Sequence, residues 1–243
     1  MRERRDRLTE NFRLLYLKSP DSESSSIKET SSHFDPSENT SLNTYSHQEI
    51  LSQAIDDLRH PDPKVRTLAV QYYIEKTNLS IALPLLQEIL EDEDPGVRAQ
   101  ALLSLIKLGN PIIFPFLKKH LKDKDEKVRR IALKGIFQTQ QNIDINLLKP
   151  LLNDESPWVR RKMATLLGWR EVEGGQTLLS EMLKDKESMV RKAALSSLLI
   201  LYPEEGETQM WKAISDSSHE IRTWVKAQLN RRLQKPTQKR VNL

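Results

Sequence analysis

Between residues 47 and 232 the apolar positions fall into short stripes that recur with a long, nearly fixed period. In the stretch 97–108, Val97, Ala101, Leu105 and Leu108 stand at offsets 0, 4, 8 and 11, which is one face of an α-helix. Each such stripe opens on a Val-Arg or Ile-Arg pair: Val65-Arg66, Val97-Arg98, Val128-Arg129, Val159-Arg160, Val190-Arg191 and Ile221-Arg222. Successive pairs are 32 residues apart once and 31 apart four times. A shorter apolar segment precedes each pair and ends at Leu58, Leu90, Leu121, Leu152, Leu183 or Ile214. The pattern predicts six helix–turn–helix units. A period of this length marks a repeat array, in which a module buries its apolar face only against its neighbours. Ala69, Ala132 and Ala194 share the register of Ala101, and so small a side chain lets adjacent helices approach closely.

The boundaries carry their own signals. Asp94 is placed to cap the second helix of its unit, with Pro95 at the first helical position, where a missing N–H costs nothing. Gly109 is placed to end that helix. The equivalent caps are Asp62, Asp125, Ser156, Glu187 and Ser218, of which Glu187 is weak. Ser80 is expected to cap a first helix running to about Glu91. Pro84 and Pro115 read as first-turn residues, whereas Pro150 falls near the end of a first helix and should kink or shorten it. Two residues beyond the first helix stand Asp92, Asp123, Asp154, Asp185 and Asp216, each six residues before its repeat Arg; the first unit has His60 instead. A carboxylate there can accept N–H groups at a helix N-terminus, and a guanidinium one turn in can engage it bidentately.

The motif D-x-D-P-x-V-R-x-x-A, as in E-D-E-D-P-G-V-R-A-Q-A at 91–101, resembles HEAT repeats, in particular the short PBS-lyase HEAT-like type. The resemblance covers about three quarters of the chain. It implies an all-α fold, an α-solenoid (superhelix) of six hairpins of antiparallel helices whose second helices line the concave face. It also implies a structural ladder through the turns, made by Asp92, Arg98, Asp123, Arg129, Asp154, Arg160, Asp185, Arg191, Asp216 and Arg222. Related repeats occur in bilin lyase subunits and phycobilisome-associated proteins, in DNA-cradling alkylpurine glycosylases, and in deoxyhypusine hydroxylase. That last enzyme binds iron through several His-Glu dipeptides; this chain has one, His219-Glu220.

The flanks differ from the array. Residues 1–18 are expected to form a short amphipathic helix on Leu8, Phe12, Leu15 and Tyr16. Residues 19–46 are rich in Ser and Thr and poor in aliphatics, which predicts a disordered linker. Residues 233–243 form a basic tail. After Glu220 there is no acidic side chain, while seven cations follow from Arg222 to Arg240. The chain has no cysteine, which excludes disulfides, thiolate metal sites and a thiol nucleophile. No apolar run reaches the ~18 residues of a membrane span, and no secretory signal is evident. A cytoplasmic protein without a membrane role is the expectation.

Catalytic patterns are missing from the sequence. The five histidines show no zinc-ligand spacing, and Gly174-Gly175 reads as a turn between repeats, not a phosphate loop. No enzyme activity, metal, cofactor or small-molecule substrate is expected. The informative departure from the repeat is the residue after the ladder Arg, which runs Thr67, Ala99, Arg130, Arg161, Lys192 and Thr223. Stacked repeats would align Arg130, Arg161 and Lys192 as a basic stripe, widened by Lys134, Lys162 and Lys226. All four tryptophans, Trp158, Trp169, Trp211 and Trp224, lie in the last three repeats. Trp158 is a candidate binding anchor, although packing between repeats is the ordinary role expected of each tryptophan. The function read from this is an adaptor or scaffold that binds a protein partner, with an acidic surface, along the concave face. The alternatives are a solenoid that binds a nucleic-acid backbone and a bilin-lyase-type accessory subunit.

Overall fold

A computed structural model describes residues 47–73 and 79–233. The expected N-terminal helix and linker and all but the first residue of the tail lie outside the described residues. Twelve α-helices and no strand occur among the described residues. They pair into six hairpins: α1 (His47–Leu58) with α2 (Pro63–Tyr73), α3 (Leu79–Ile89) with α4 (Pro95–Leu108), α5 (Phe114–His120) with α6 (Glu126–Thr139), α7 (Ile145–Leu148) with α8 (Pro157–Leu167), α9 (Gly175–Met182) with α10 (Ser188–Leu201), and α11 (Pro203–Lys212) with α12 (His219–Leu233). The architecture is an α-solenoid.

The second helices form the packed layer. From α2 to α10 each lies against the second helix of the next unit. Ala69, Ala101, Ala132 and Ala194 are all buried there, and the fourth unit fills the same register with the buried Met163. One apolar core runs unbroken from Leu58 to Leu198, and a smaller cluster of Leu195, Met210, Ile221, Val225 and Leu229 closes the far end. The last hairpin is built differently, since α11 packs closely on α10. Gly206 makes that approach possible: a Cβ there would lie 2.6 Å from the Leu199 backbone nitrogen.

Local chemistry follows the sequence at most boundaries. Asp94 Oδ1 accepts from the N–H groups of Gly96 and Val97 at 2.8 and 3.1 Å, and Asp125 caps α6 in the same way. Ser156 accepts from Trp158, while Glu187 makes no side-chain cap bond. Gly109 ends α4 with φ +66°, and Gly174 turns the chain into α9 with φ +75°. Pro150 shortens its helix as expected: α7 has four residues and passes into a 3-10 segment over Lys149–Asn153. Two expectations fail. The helix α3 starts at Leu79, before Ser80, so Ser80 is inside the helix and Pro84 stands in its interior instead of its first turn. Pro115 stands in the first turn of α5 as expected, after a separate 3-10 turn over Pro111–Ile113.

Candidate partner-binding face

The turns between paired helices carry a continuous chain of charge-assisted hydrogen bonds. Arg98 Nε and Nη2 donate to the two carboxylate oxygens of Asp123 at 2.9 and 2.6 Å. The same fork joins Arg66 to Asp92, Arg129 to Asp154, Arg160 to Asp185 and Arg191 to Asp216. The carboxylate each guanidinium grips belongs to the following unit, 25 or 26 residues ahead. To the Asp six residues behind, the arginine offers Nη1, and it donates to that residue's backbone carbonyl. This corrects the pairing within one turn that the spacing suggests. The backbone carbonyl is within reach of Nη1, while the carboxylate turns away to serve the previous unit's arginine. Each carboxylate also accepts the N–H two residues on, as Asp154 does from Ser156 at 2.9 Å.

Both ends of the ladder are modified. In the first unit His60 Nδ1 accepts the Asp62 N–H at 3.0 Å, which reproduces the turn without a carboxylate. At the other end Arg222 keeps its two carbonyl bonds, to Asp216 and Ser217, and no carboxylate among the described residues meets its fork. The ladder carboxyls respond to their partners. Burial alone would raise the Asp123 and Asp185 carboxyls, but the arginine fork and the backbone N–H outweigh it and hold both below their ordinary value. Asp216 is held low chiefly by Arg191. One further bridge escapes sequence reasoning. The buried His120 ring contacts the Phe116 carbonyl at 2.8 Å and the Leu90 carbonyl at 3.1 Å, tying the third unit to the second.

The free face of the second-helix layer holds most of the candidate cations. Arg130 and Lys134 lie one turn apart on α6, and Lys162 faces them from α8. Burial, then the like charges of Lys134 and Arg130, push the Lys162 ammonium below the ordinary lysine value. Its Nζ sits 5.2 Å from the centre of the Trp169 ring. Arg130 reaches Glu126 at only 4.0 Å, and its Nε is buried without a hydrogen-bond partner. Neither Lys134 nor Lys162 meets a carboxylate among the described residues. Arg161 is exposed and lies 5.7 Å from the Trp158 ring. Lys192 is already engaged: it pairs with Glu220 at 2.7 Å and sits by Trp224.

Two expectations about this face need correcting. Lys226 does not share the row. Its register is that of Leu102, Leu133, Ala164 and Leu195, all buried against the next repeat, and Lys226 is exposed at the last unit. Nor are the tryptophans mainly packing residues. Trp158, Trp169 and Trp211 are 45, 56 and 57% exposed, and only Trp224 packs against the terminal apolar cluster. Trp169 falls beyond the end of α8 and projects with more than half of its surface exposed.

A family model described as HEAT repeats matches residues 48–136 and 145–230. The chain belongs to the HEAT-repeat family. Among curated proteins, none matches the sequence. YibA of Escherichia coli superposes with a TM-score of 0.55 at 22% identity, over 70% of this chain and 66% of that one. The CpcE–CpcF complex of the phycocyanin lyase from Nostoc superposes at 0.50 with 22% identity, over 81% and 79%. Human deoxyhypusine hydroxylase reaches only 0.34 at 15% identity, over 75% and 84%, too low to bear on activity. At these identities the likeness is one of fold. Among the described residues, no helix is long and apolar enough to cross a membrane, and no group of three or more His, Asp or Glu side chains is placed to hold a metal ion.

Proposed function

We propose that this HEAT-repeat protein is a non-catalytic scaffold that binds a protein partner along the free face of its second helices, mainly through the third to sixth repeats. The observation that carries the reading is the cation cluster on α6 and α8. Its lysines have no carboxylate partner, although the rest of the surface pairs many of its charges. A solenoid whose interior is given wholly to holding repeats together has its long outer faces free for recognition. Arg130, Lys134, Arg161, Lys162 and Lys192 would meet an acidic partner surface, with Trp158 as an aromatic anchor at the rim. The partner acts on the array from outside, and no cofactor is required.

The test is crosslinked affinity purification from the native cell, using the wild-type protein and the triple variant Arg130→Glu, Arg161→Glu, Lys192→Glu. The expected result is one or more proteins captured by the wild type and lost from a variant that keeps its helical circular dichroism. Equal capture by both would remove the stripe from the account. Capture of nucleic acid in place of protein would favour a phosphate-binding solenoid, whose affinity should fall steeply with salt.

A further inference from the structure

The free face is not uniform along the array. On α6 and α8 it is basic, and on α10 the lysines give way to Ala193 and Ser196 while Lys192 is neutralised by Glu220. The register of Lys134 passes to Thr165 and then to Ser196, while that of Lys162 passes to Ala193 and then to Trp224. At the next position outward, Trp169 is followed by Ile200, which is 68% exposed. A basic patch whose two lysines meet no carboxylate among the described residues thus adjoins an exposed aromatic and an exposed aliphatic side chain.

The geometry points to a partner that docks an extended segment across the second helices, with acidic side chains over Arg130, Lys134 and Lys162 and aliphatic or aromatic ones against Trp169 and Ile200. This rests on the interaction reading above and adds the partner's chemistry and direction. Charge complementarity selects the acidic end. Lys162 is partly desolvated among like charges, so an arriving carboxylate relieves repulsion as well as forming an ion pair. The aliphatic end follows from exposure, because an uncovered isoleucine beside a tryptophan gains most from an apolar partner.

Two features favour a peptide segment over a nucleic-acid strand. A phosphate backbone calls for a continuous cationic track. Here the track stops after two repeats: the register of Arg130 is occupied by Ala99 on α4, and Lys192 on α10 is held by Glu220. Moreover, Ile200 presents no π-face for a base.

The experiment uses the full chain and three fluorescent probes: a peptide with a run of glutamates followed by leucines, the same peptide with serines for leucines, and single-stranded oligothymidylate. The glutamate–leucine peptide should bind most tightly. Lys134→Glu with Lys162→Glu should weaken it about tenfold or more, and the milder Lys134→Gln with Lys162→Gln should weaken it less but clearly. Lys118→Glu, a change in the exposed part of α5, is the charge control and should leave affinity within about twofold. Trp169→Ala should erase the preference for leucine over serine. Circular dichroism and melting check that each variant folds. The proposal is overturned by no peptide binding at low salt, by equal weakening from Lys118→Glu, by an unchanged leucine preference in Trp169→Ala, or by tighter oligothymidylate binding that depends on Lys134 and Lys162. If native partners are still captured and still lost from the triple variant, such a result removes this docking chemistry alone. If the wild type captures no protein, the scaffold reading itself fails.

Discussion

Replacing Asp154 by Ala should uncouple the third repeat from the fourth. Asp154 accepts two bonds from Arg129, both at 2.8 Å, and one from the Ser156 N–H, and both side chains are only 6% exposed. Removing one member of such a pair leaves a buried charge without its partner, a loss of about 3–5 kcal/mol in fully buried cases. Here the turn is close to water, and the exposed Glu155 stands 3.3 Å from Arg129 Nη2, ready to take over part of the role. The expected cost is therefore about 3 kcal/mol, at the lower end of that range. Stability in a repeat array is roughly a sum of unit terms and nearest-neighbour terms. The loss should accordingly appear as a broadened or divided urea transition with a reduced slope, not only as a shifted midpoint. Arg222 supplies an internal control, since it makes the same carbonyl bonds without a carboxylate. Arg222→Ala should cost only about 1 kcal/mol. An Asp154→Ala protein with the wild-type midpoint and slope, within about 0.5 kcal/mol, would refute the reasoning and mean that the carbonyl bonds alone hold Arg129.

Other outcomes follow from the same geometry. Asp123, Asp185 and Asp216 have carboxyls held below their ordinary value in the fold, so their contribution is complete above the ordinary carboxylate range near pH 4 and is lost as pH falls through the lower folded values. Melting temperature should fall as the pH drops below about 4, and Asp216→Asn, which removes one of these groups, should make that acid dependence shallower. The caps differ in kind: Asp94→Ala should cost about 1 kcal/mol in thermal unfolding, whereas Glu187→Ala, with no side-chain cap bond to lose, should cost no more than a few tenths. Gly206→Ala should destabilise the last hairpin by about 2–3 kcal/mol because its Cβ would meet the backbone of Leu199, and amide exchange should rise first in α11. Wild-type exchange rates in that variant would show that α11 does not press on α10.

The repeat was legible because each valine, its arginine and the aspartate before it return at one interval, and helical registers translate directly into rows. The partner of each arginine was not legible. An aspartate six residues behind and one in the next repeat, 25 residues ahead, are both in the sequence, and only stacking decides which presents its carboxylate and which its carbonyl. Lys226 misled for a related reason. Sharing a sign with Arg130 and Lys162 says nothing of register, and its place five residues after the repeat Ile is the one that earlier units fill with buried Leu or Ala. The exposure of Trp169 was equally hidden, since an aromatic at a helix end packs or projects according to where the next helix begins, and Trp169 lies just past that point. Lys134 and Lys162 were visible as cations, but their lack of carboxylate neighbours emerges only when α6 and α8 are set side by side.

The most direct measurement of the stacking itself is distance by paired spin labels, which the absence of native cysteine makes clean. Gln138, Ile200 and Lys107 are exposed and occupy one register on α6, α10 and α4. With helices about 10 Å apart, labels at Gln138 and Ile200, two repeats apart, should give a narrow distribution near 20 Å, and labels at Lys107 and Ile200, three apart, one near 30 Å. Distances that do not lengthen with the number of intervening repeats would contradict the array and every row drawn on it.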